Sequence, residues 1–175
     1  MKQLFLLVAL ASTFCNSNAQ KPQAEQFDLI LKTEQIPGKI NQTVAHQLTE
    51  PLKAIAAYYS AMAGSNCNGT SCELTTALGL GDQGSEQHKN IIRKWFKQDK
   101  TAKQLLKQDC FLPPNTASAF NDFAYLRLQK KGNTVTVSYK ILYYNHGKST
   151  FVSSDTDQLL IKDETIIVRR KKIWH

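Results

Sequence analysis

The sequence contains no apolar run long enough to span a membrane. A transmembrane helix needs about 20 consecutive, mostly apolar residues. The longest such stretch, Leu4–Ala11, is much shorter and lies near the N-terminus. No later segment comes close, so no transmembrane segment is expected.

The same short run is typical of a secretory signal peptide. Lys2 supplies a positive charge before it, and the small residues Ser17 and Ala19 stand at the third and first positions before a cleavage site. We expect signal peptidase to cut directly after Ala19 and to remove residues 1–19. The mature protein is therefore predicted to be secreted or periplasmic.

Cysteine is scarce, and one of the 4 cysteines, Cys15, lies in the signal peptide. A lipid anchor on Cys15 is disfavoured because Phe14 precedes it, where lipoprotein processing requires a small side chain. Cys67, Cys72 and Cys110 remain, so at least one is unpaired in a monomer. Turn residues between Cys67 and Cys72 favour a disulfide between these two, while a link from either to Cys110 stays open. Neither a second close cysteine pair nor a histidine pair at ligand spacing is present, so we predict no metal site.

Acidic residues are fewer than basic ones, 14 against 22, and the formal net charge is +8. An exported basic protein meets anionic lipid headgroups, acidic glycans or an acidic protein partner rather than nucleic acid. The simpler interpretation is a solvated lysine-rich surface. The basic run at residues 169–172 alternates between the two faces of a predicted strand, so it does not form one patch.

The chain shows no internal repeat, no low-complexity tract and no sign of a second domain. Residues 20–43 are predicted to be an N-terminal segment, partly irregular. Residues 44–175 are predicted to be a single α+β domain, with helices in 44–112 and a sheet in 121–175. The helices follow from apolar residues spaced three and four apart, and the sheet follows from a change to twofold alternation.

Twofold alternation is clearest from Val135 to Tyr143. Turn residues at 131–133, 145–148 and 162–164 divide the C-terminal part into a meander of about four antiparallel strands. Because the helices come first in the chain, we predict an α+β fold whose N-terminal helices pack on one face of this meander.

The strand rhythm from Tyr125 through Tyr139, and from the hairpin at Asn145 to the turn at Asp163 and then Trp174, resembles the nuclear-transport-factor-like superfamily, which includes ketosteroid isomerase. The resemblance covers roughly the last third of the chain and depends on strand spacing rather than on a motif. It implies helices folded over a curved sheet to form a conical pocket, and either a binding or an enzymatic role. It assigns no catalytic residue here.

Residues Gly79–Gly84 spell GxGxxG, the fingerprint of dinucleotide-binding loops. That motif needs a preceding strand, whereas a helical pattern precedes it here, so we interpret it as a loop between helices. The backbone amides after Ser85 remain a candidate anion site. Cys67 or Cys72 with His88 is a candidate nucleophile and base, although the disulfide interpretation is favoured.

Five aromatic residues form the candidate ligand pocket. Tyr139 and Tyr143 share one face of the clearest strand, and Tyr58, Tyr59 and Trp95 lie on helices expected to pack over it. A buried tyrosine must satisfy its hydroxyl group. The group therefore indicates either ordinary core packing or an aromatic-lined pocket.

The leading hypothesis is an exported, non-enzymatic domain that binds a small ligand in this pocket without a cofactor. A second hypothesis is a secreted interaction module, of inhibitor or immunity type, that contacts an acidic or other protein partner through loop 67–84. A third is a hydrolase or isomerase acting in the same pocket. No acid, base and nucleophile converge in the sequence, so no catalytic residue is assigned.

Overall fold

The computed structural model of the chain describes residues 23–33, 38–63, 70–107, 119–145 and 148–169. Within these ranges the elements, in chain order, are β1 (Glu25–Leu31), β2 (Lys39–Ile40), α1 (Gln42–Gln47), α2 (Glu50–Ala63), α3 (Thr70–Ala77), α4 (Glu86–Trp95), α5 (Lys100–Leu105), β3 (Ala119–Lys131), β4 (Thr134–Asn145), β5 (Lys148–Lys162) and β6 (Thr165–Arg169). The mixed α+β class is as predicted.

The strands form one antiparallel sheet in the order β2-β1-β3-β4-β5-β6. The predicted number of about four strands is therefore wrong, because the described sheet has six. The two additional strands, β1 and β2, come from the segment that the sequence predicts to be partly irregular. In β1 the register shifts between Asp28 and Ile30, and Leu29 and Ile30 are both buried. This bulge interrupts the twofold alternation that reveals a strand in sequence.

The C-terminal strands follow their predicted turns. Lys131 pairs with Thr134 across Gly132, which has a φ of 58°, and Lys162 pairs with Thr165 across Asp163 and Glu164. Both Asp163 and Glu164 have positive φ, as two-residue hairpin turns that match the strand twist require.

Helix α2 lies at the centre of the helical half of the chain. Pro51 stands in its first turn, where a missing N–H group costs nothing. Most of the remaining residues are small or apolar, and nine are buried: Leu52, Ala54, Ile55, Ala56, Ala57, Tyr58, Tyr59, Ser60 and Ala63. Such a helix is buried on nearly all sides, and it contacts α3, α4, α5 and β3.

The buried side chains of the helices and strands form one continuous hydrophobic cluster. On β3, β4 and β5 the members of this cluster alternate along each strand and define the core-facing side of the sheet: Phe123, Leu126, Leu128, Val135, Val137, Tyr139, Ile141 and Leu159. The opposite side of these strands carries mainly polar residues, and we refer to it as the outer side of the sheet.

Gly38 holds the chain between β1 and β2 against the sheet. Its N–H donates to the carbonyl oxygen of Phe123 at 3.0 Å. A Cβ atom at this position would lie 2.6 Å from the carbonyl oxygen of Ala124 and 2.6 Å from Cγ2 of Ile30. We expect Gly38→Ala to lower the free energy of unfolding by about 1–3 kcal/mol, because such a contact forces the backbone apart.

Urea unfolding measures this loss, and Gly132→Asn is the matched control. A Cβ at Gly132 meets nothing within 4 Å, and only the positive φ restricts that position. Asparagine tolerates this conformation, so the control should lose less than about 1 kcal/mol. Equal losses in the two variants would show that crowding at Gly38 is not limiting.

Candidate functional site

Five aromatic rings pack together in the core, and we call them the aromatic cluster. The rings of Tyr58 and Tyr59, adjacent on α2, meet edge to face with centroids 5.4 Å apart. Tyr58 stacks on Phe96 at 4.4 Å, while Tyr59 lies 5.3 Å from Tyr139 of β4. Tyr139 in turn meets Phe123 of β3 at 6.5 Å. All five residues are buried, so as described the rings are packed side by side rather than arranged around an open space.

The hydroxyl of Tyr59 donates to Oδ2 of Asp157 at 2.5 Å, and both residues are fully buried. Asp157 lies on β5 directly opposite Val137, on the core-facing side of the sheet. Burial, and then the negative charge and hydrogen bond of Asp157, raise the pKa of Tyr59 far above its ordinary value. Tyr59 is therefore a permanent hydrogen-bond donor to this carboxyl group.

The hydroxyl of Tyr58 has a different acceptor. It donates to Oδ1 of Asp99 at 3.3 Å, and the same oxygen accepts the N–H of Ala102 at 2.7 Å, which caps α5. Asp99 is only partly buried. Two neighbouring tyrosines thus bind two carboxyl groups, one in the core and one near the surface.

The structure brings together three of the five predicted pocket residues, namely Tyr58, Tyr59 and Tyr139. Trp95 is buried at the end of α4, where the Lys94 ammonium lies 5.7 Å from its ring centroid and forms an ion pair with Glu50 at 2.6 Å. Tyr143 lies further along β4 and is 39% exposed.

Sequence reasoning groups Phe96 with the helix aromatics but misses two members of this region, Phe123 and Asp157. Phe123 follows the same strand pattern as the predicted residues, and that pattern does not distinguish a cluster member from any other core residue. The sequence does not predict that Asp157 is buried, because the residues before it in β5 are polar and show no apolar alternation: Ser153, Ser154, Asp155 and Thr156. Its inward orientation follows only from its pairing with Val137.

Exposure rises along the core-facing side towards one end of β4 and β5. Tyr139 is 6% exposed and Ile141 7%, while Tyr143 is 39% exposed. Their partners on β5 are Asp155 for Tyr139 and Ser153 for Ile141, and both partners are partly exposed. We call Tyr143, Ser153 and Asp155 the open end of the aromatic cluster.

His88 is buried, and both of its ring nitrogens are engaged in hydrogen bonds. Its Nδ1 accepts the N–H of Gly84 at 3.0 Å, so the ring proton resides on Nε2, which donates to the carbonyl oxygen of Ala57 at 2.8 Å. Burial lowers the pKa of His88, and this outweighs the opposite effect of the bond to Ala57. A role for His88 as a base beside a cysteine therefore does not fit these contacts, since both ring nitrogens bind the main chain.

The GxGxxG segment is a loop between α3 and α4. Gly79, Gly81 and Gly84 all have positive φ. Ser85 accepts the N–H of His88 at 3.2 Å and thereby caps α4, while Gln83 is buried and donates to the carbonyl oxygen of Ser60 at 2.9 Å. The loop is therefore held by contacts within the protein, and helix α3 stands directly before it, where a dinucleotide fingerprint requires a strand.

Several predicted features lie outside the described residues. These are the signal peptide with Cys15, the cysteines Cys67 and Cys110, the end of the basic run from residue 170, and Trp174. Cys72 lies in α3, but its side chain is not among those described. The disulfide stays a prediction.

Within the described ranges, no three histidine, cysteine, aspartate or glutamate side chains come together as a metal-binding group. No helix among the described elements is long and apolar enough to cross a membrane. Comparisons with protein-family models, curated proteins and solved structures gave no match. The resemblance to the nuclear-transport-factor-like superfamily thus stays a prediction.

The tyrosine pair allows a matched test of the buried hydrogen bond. Tyr59→Phe should lower the free energy of unfolding by about 1–3 kcal/mol, because a buried carboxyl group loses a donor. Tyr58→Phe removes the longer bond to the partly exposed Asp99 and should cost less than about 1 kcal/mol. Urea unfolding at neutral pH compares the two, and a larger loss for Tyr58→Phe would contradict this ranking.

The lowered pKa of His88 predicts a pH dependence of stability. An unfolded chain takes up a proton near the ordinary histidine pKa of 6.5, while the folded protein resists protonation at His88. The stabilisation is therefore complete above this pH, and it is lost as the pH falls towards the lower folded pKa. Urea unfolding between about pH 5 and 8 should show this decline in the wild type.

His88→Gln should be less stable at pH 8 and should lose most of the decline at lower pH. His46→Gln is the control, because His46 is exposed on α1, and it should keep the decline. An unchanged slope in His88→Gln would assign the pH dependence to other groups.

Proposed function

We propose that this protein is an exported, non-enzymatic α+β domain that binds a small ligand at the open end of the aromatic cluster. In this proposal the helices cover one face of the sheet, and the ligand enters between them and the exposed end of β4 and β5. Tyr143, Ser153 and Asp155 line the entrance, and Tyr139 lies behind it. Export is inferred from the signal peptide pattern at residues 1–19.

One observation carries the proposal: a buried carboxyl group, Asp157, lies in the core and accepts the hydroxyl of Tyr59, one of three clustered tyrosines. Burying a carboxylate costs several kcal/mol unless it is well paired. Apolar packing of a core does not require a carboxyl group. Asp157 lies two residues from Asp155 on β5, on the same side of the sheet, and Asp155 is partly exposed. Polar groups and rings therefore continue from the core to the entrance.

The chemistry of these groups favours a particular kind of ligand. The carboxyl oxygens of Asp155 at the entrance accept hydrogen bonds, Asp157 behind them is already bound to Tyr59, and the tyrosine rings offer flat apolar and π surfaces. A complementary ligand donates hydrogen bonds through an amine or hydroxyl group and carries a ring. A cationic amine would gain further from the rings and from the carboxylates.

The non-enzymatic part of the proposal is supported by the state of His88, whose two ring nitrogens both bind main-chain groups. A hydrolase or isomerase would need another base. The interaction-module hypothesis also stays a prediction: in the described part of its loop, Leu78, Leu80 and Gln83 are buried. Glu73, Thr76, Gly79, Gly81 and Asp82 are exposed there.

The experiment begins with native mass spectrometry of the mature protein purified from its exported fraction, with and without thiol reduction. A co-purifying small molecule would identify the ligand directly. In parallel, ligand-observed NMR with tryptamine, tyramine and neutral tryptophol tests ring-bearing donors. We expect binding to the wild type, and a loss of about tenfold in Tyr143→Ala, which removes a ring worth roughly 1.4 kcal/mol.

Phe151→Ala is the matched control for Tyr143→Ala. Phe151 is also an exposed aromatic residue at this end of the sheet, 59% exposed, but it pairs with Leu142 and so lies on the opposite side. Its removal should leave binding unchanged. Equal losses in both variants would refute the site, and so would a Tyr139→Phe variant that loses stability without any change in binding. Turnover of a bound compound would refute the non-enzymatic part.

A further inference from the structure

A concave site lies on the outer side of the sheet, away from the aromatic cluster. It is a cleft of about 460 Å³ lined by Asp28, Ile30, Leu31, Lys32, Tyr125, Arg127 and Ser138. This volume falls in the range of pockets that hold small molecules. Three of its polar residues form a row across neighbouring strands, since Asp28 of β1 pairs with Arg127 of β3, which pairs with Ser138 of β4.

The backbone explains why a sheet face is concave here. The register shifts between Asp28 and Ile30 in β1, and again between Phe123 and Tyr125 in β3. A bulge bends its strand and increases the local twist. The two bulges lie near each other on adjacent strands, and Asp28 and Tyr125, which stand beside them, both line the cleft.

The central ion pair leaves part of Arg127 for a ligand. Nε of Arg127 donates to Oδ1 of Asp28 at 2.5 Å, and the side chain of Arg127 is 46% exposed. Gln26 donates to the other oxygen, Oδ2, at 2.8 Å. Burial acts to raise the pKa of Asp28, but the bonds from Arg127 and Gln26 lower it below its ordinary value. The described contact to Asp28 uses Nε, so it does not occupy the two terminal nitrogens of the guanidinium group.

The charges of the cleft favour an anion. Two cations, Arg127 and Lys32, line it with one anion, Asp28. A guanidinium group presents its donors in a planar fork that matches a carboxylate, and a lysine adds a mobile point charge. The net charge of +8 for the whole chain attracts anions over longer distances.

We infer that this cleft binds a small carboxylate, held by Arg127 and Lys32 at its charged end. The hydroxyl groups of Ser138 and Tyr125 are placed for hydroxyl groups of the ligand, and Leu31 offers an apolar contact. This inference does not depend on the proposed function, because the two sites lie on opposite sides of the sheet and favour ligands of opposite charge. A uronic acid and the C-terminus of a peptide share the required chemistry.

The test is an NMR titration of the ¹⁵N-labelled mature protein with glucuronate, with the neutral sugar glucose and with the dipeptide Ala-Ala. Glucuronate should shift the amide signals of β1, β3 and β4 around the cleft, and glucose should not. A similar affinity for Ala-Ala would assign recognition to the carboxylate alone, while preference for glucuronate would assign it to an acidic sugar. Both results support the carboxylate site.

Variants of the ion pair distinguish binding from a structural role. Arg127→Gln should weaken glucuronate binding about tenfold or more, since it removes a charged hydrogen-bond donor. Lys131→Gln also removes one positive charge, from an exposed position at the end of β3 outside the cleft, and should have little effect. Asp28→Asn should tighten binding by about two- to fivefold, because the ligand no longer competes with Asp28 for Arg127.

Three outcomes would overturn the inference. The first is equal affinity of Arg127→Gln and the wild type. The second is weaker binding in Asp28→Asn, which would mean that the ion pair shapes the cleft and that Arg127 is not available to a ligand. The third is a set of glucuronate-induced shifts confined to the open end of the aromatic cluster on the other side of the sheet.

Discussion

The hydrogen bond from Tyr59 to Asp157 connects the two halves of the chain in the core. It joins α2 to β5, residues 98 positions apart, at a distance of 2.5 Å. A carboxyl group in the core is tolerated only where a donor is held in place. The position of α2 relative to β4 and β5, and hence the contact of Tyr59 with Tyr139, is therefore restricted by more than apolar packing. Apolar contacts alone would allow small shifts that this bond does not.

A similar constraint explains the glycine-rich loop. Carbonyl groups in the C-terminal half of α2 accept hydrogen bonds from the segment that follows: His88 of α4 donates to Ala57, and Gln83 of the loop donates to Ser60. To bring these side chains back onto α2 the chain turns sharply, and the positive φ values of Gly79, Gly81 and Gly84 permit it. The same glycines that mimic a nucleotide-binding motif thus serve the packing of α4 against α2.

The elements whose apolar residues follow one uninterrupted helical or twofold period can be predicted from the sequence, and the other elements cannot. The alternation in β4 placed Tyr139 on the core-facing side, where it is found buried. Strand β1 was not predicted because its bulge buries both Leu29 and Ile30, which interrupts the twofold alternation. The burial of Asp157 was not predicted for a different reason. The strand around it is polar, so the side of the sheet on which it lies is known only from its pairing partner. The outer cleft likewise lies beside two bulges, and no local sequence pattern predicts a bulge.

Alternation along the strands separates the two candidate sites by charge. On the core-facing side the polar groups near the aromatic cluster are acidic, Asp155 and Asp157, whereas the outer cleft has the cations Arg127 and Lys32. Successive residues of a strand point to opposite sides, so one backbone can support both without contact between them. Charge repulsion would exclude a carboxylate from the acidic side and an amine from the basic side. Under the two proposals, ligands of opposite charge would bind without competing, and each site can be altered without removing a side chain from the other.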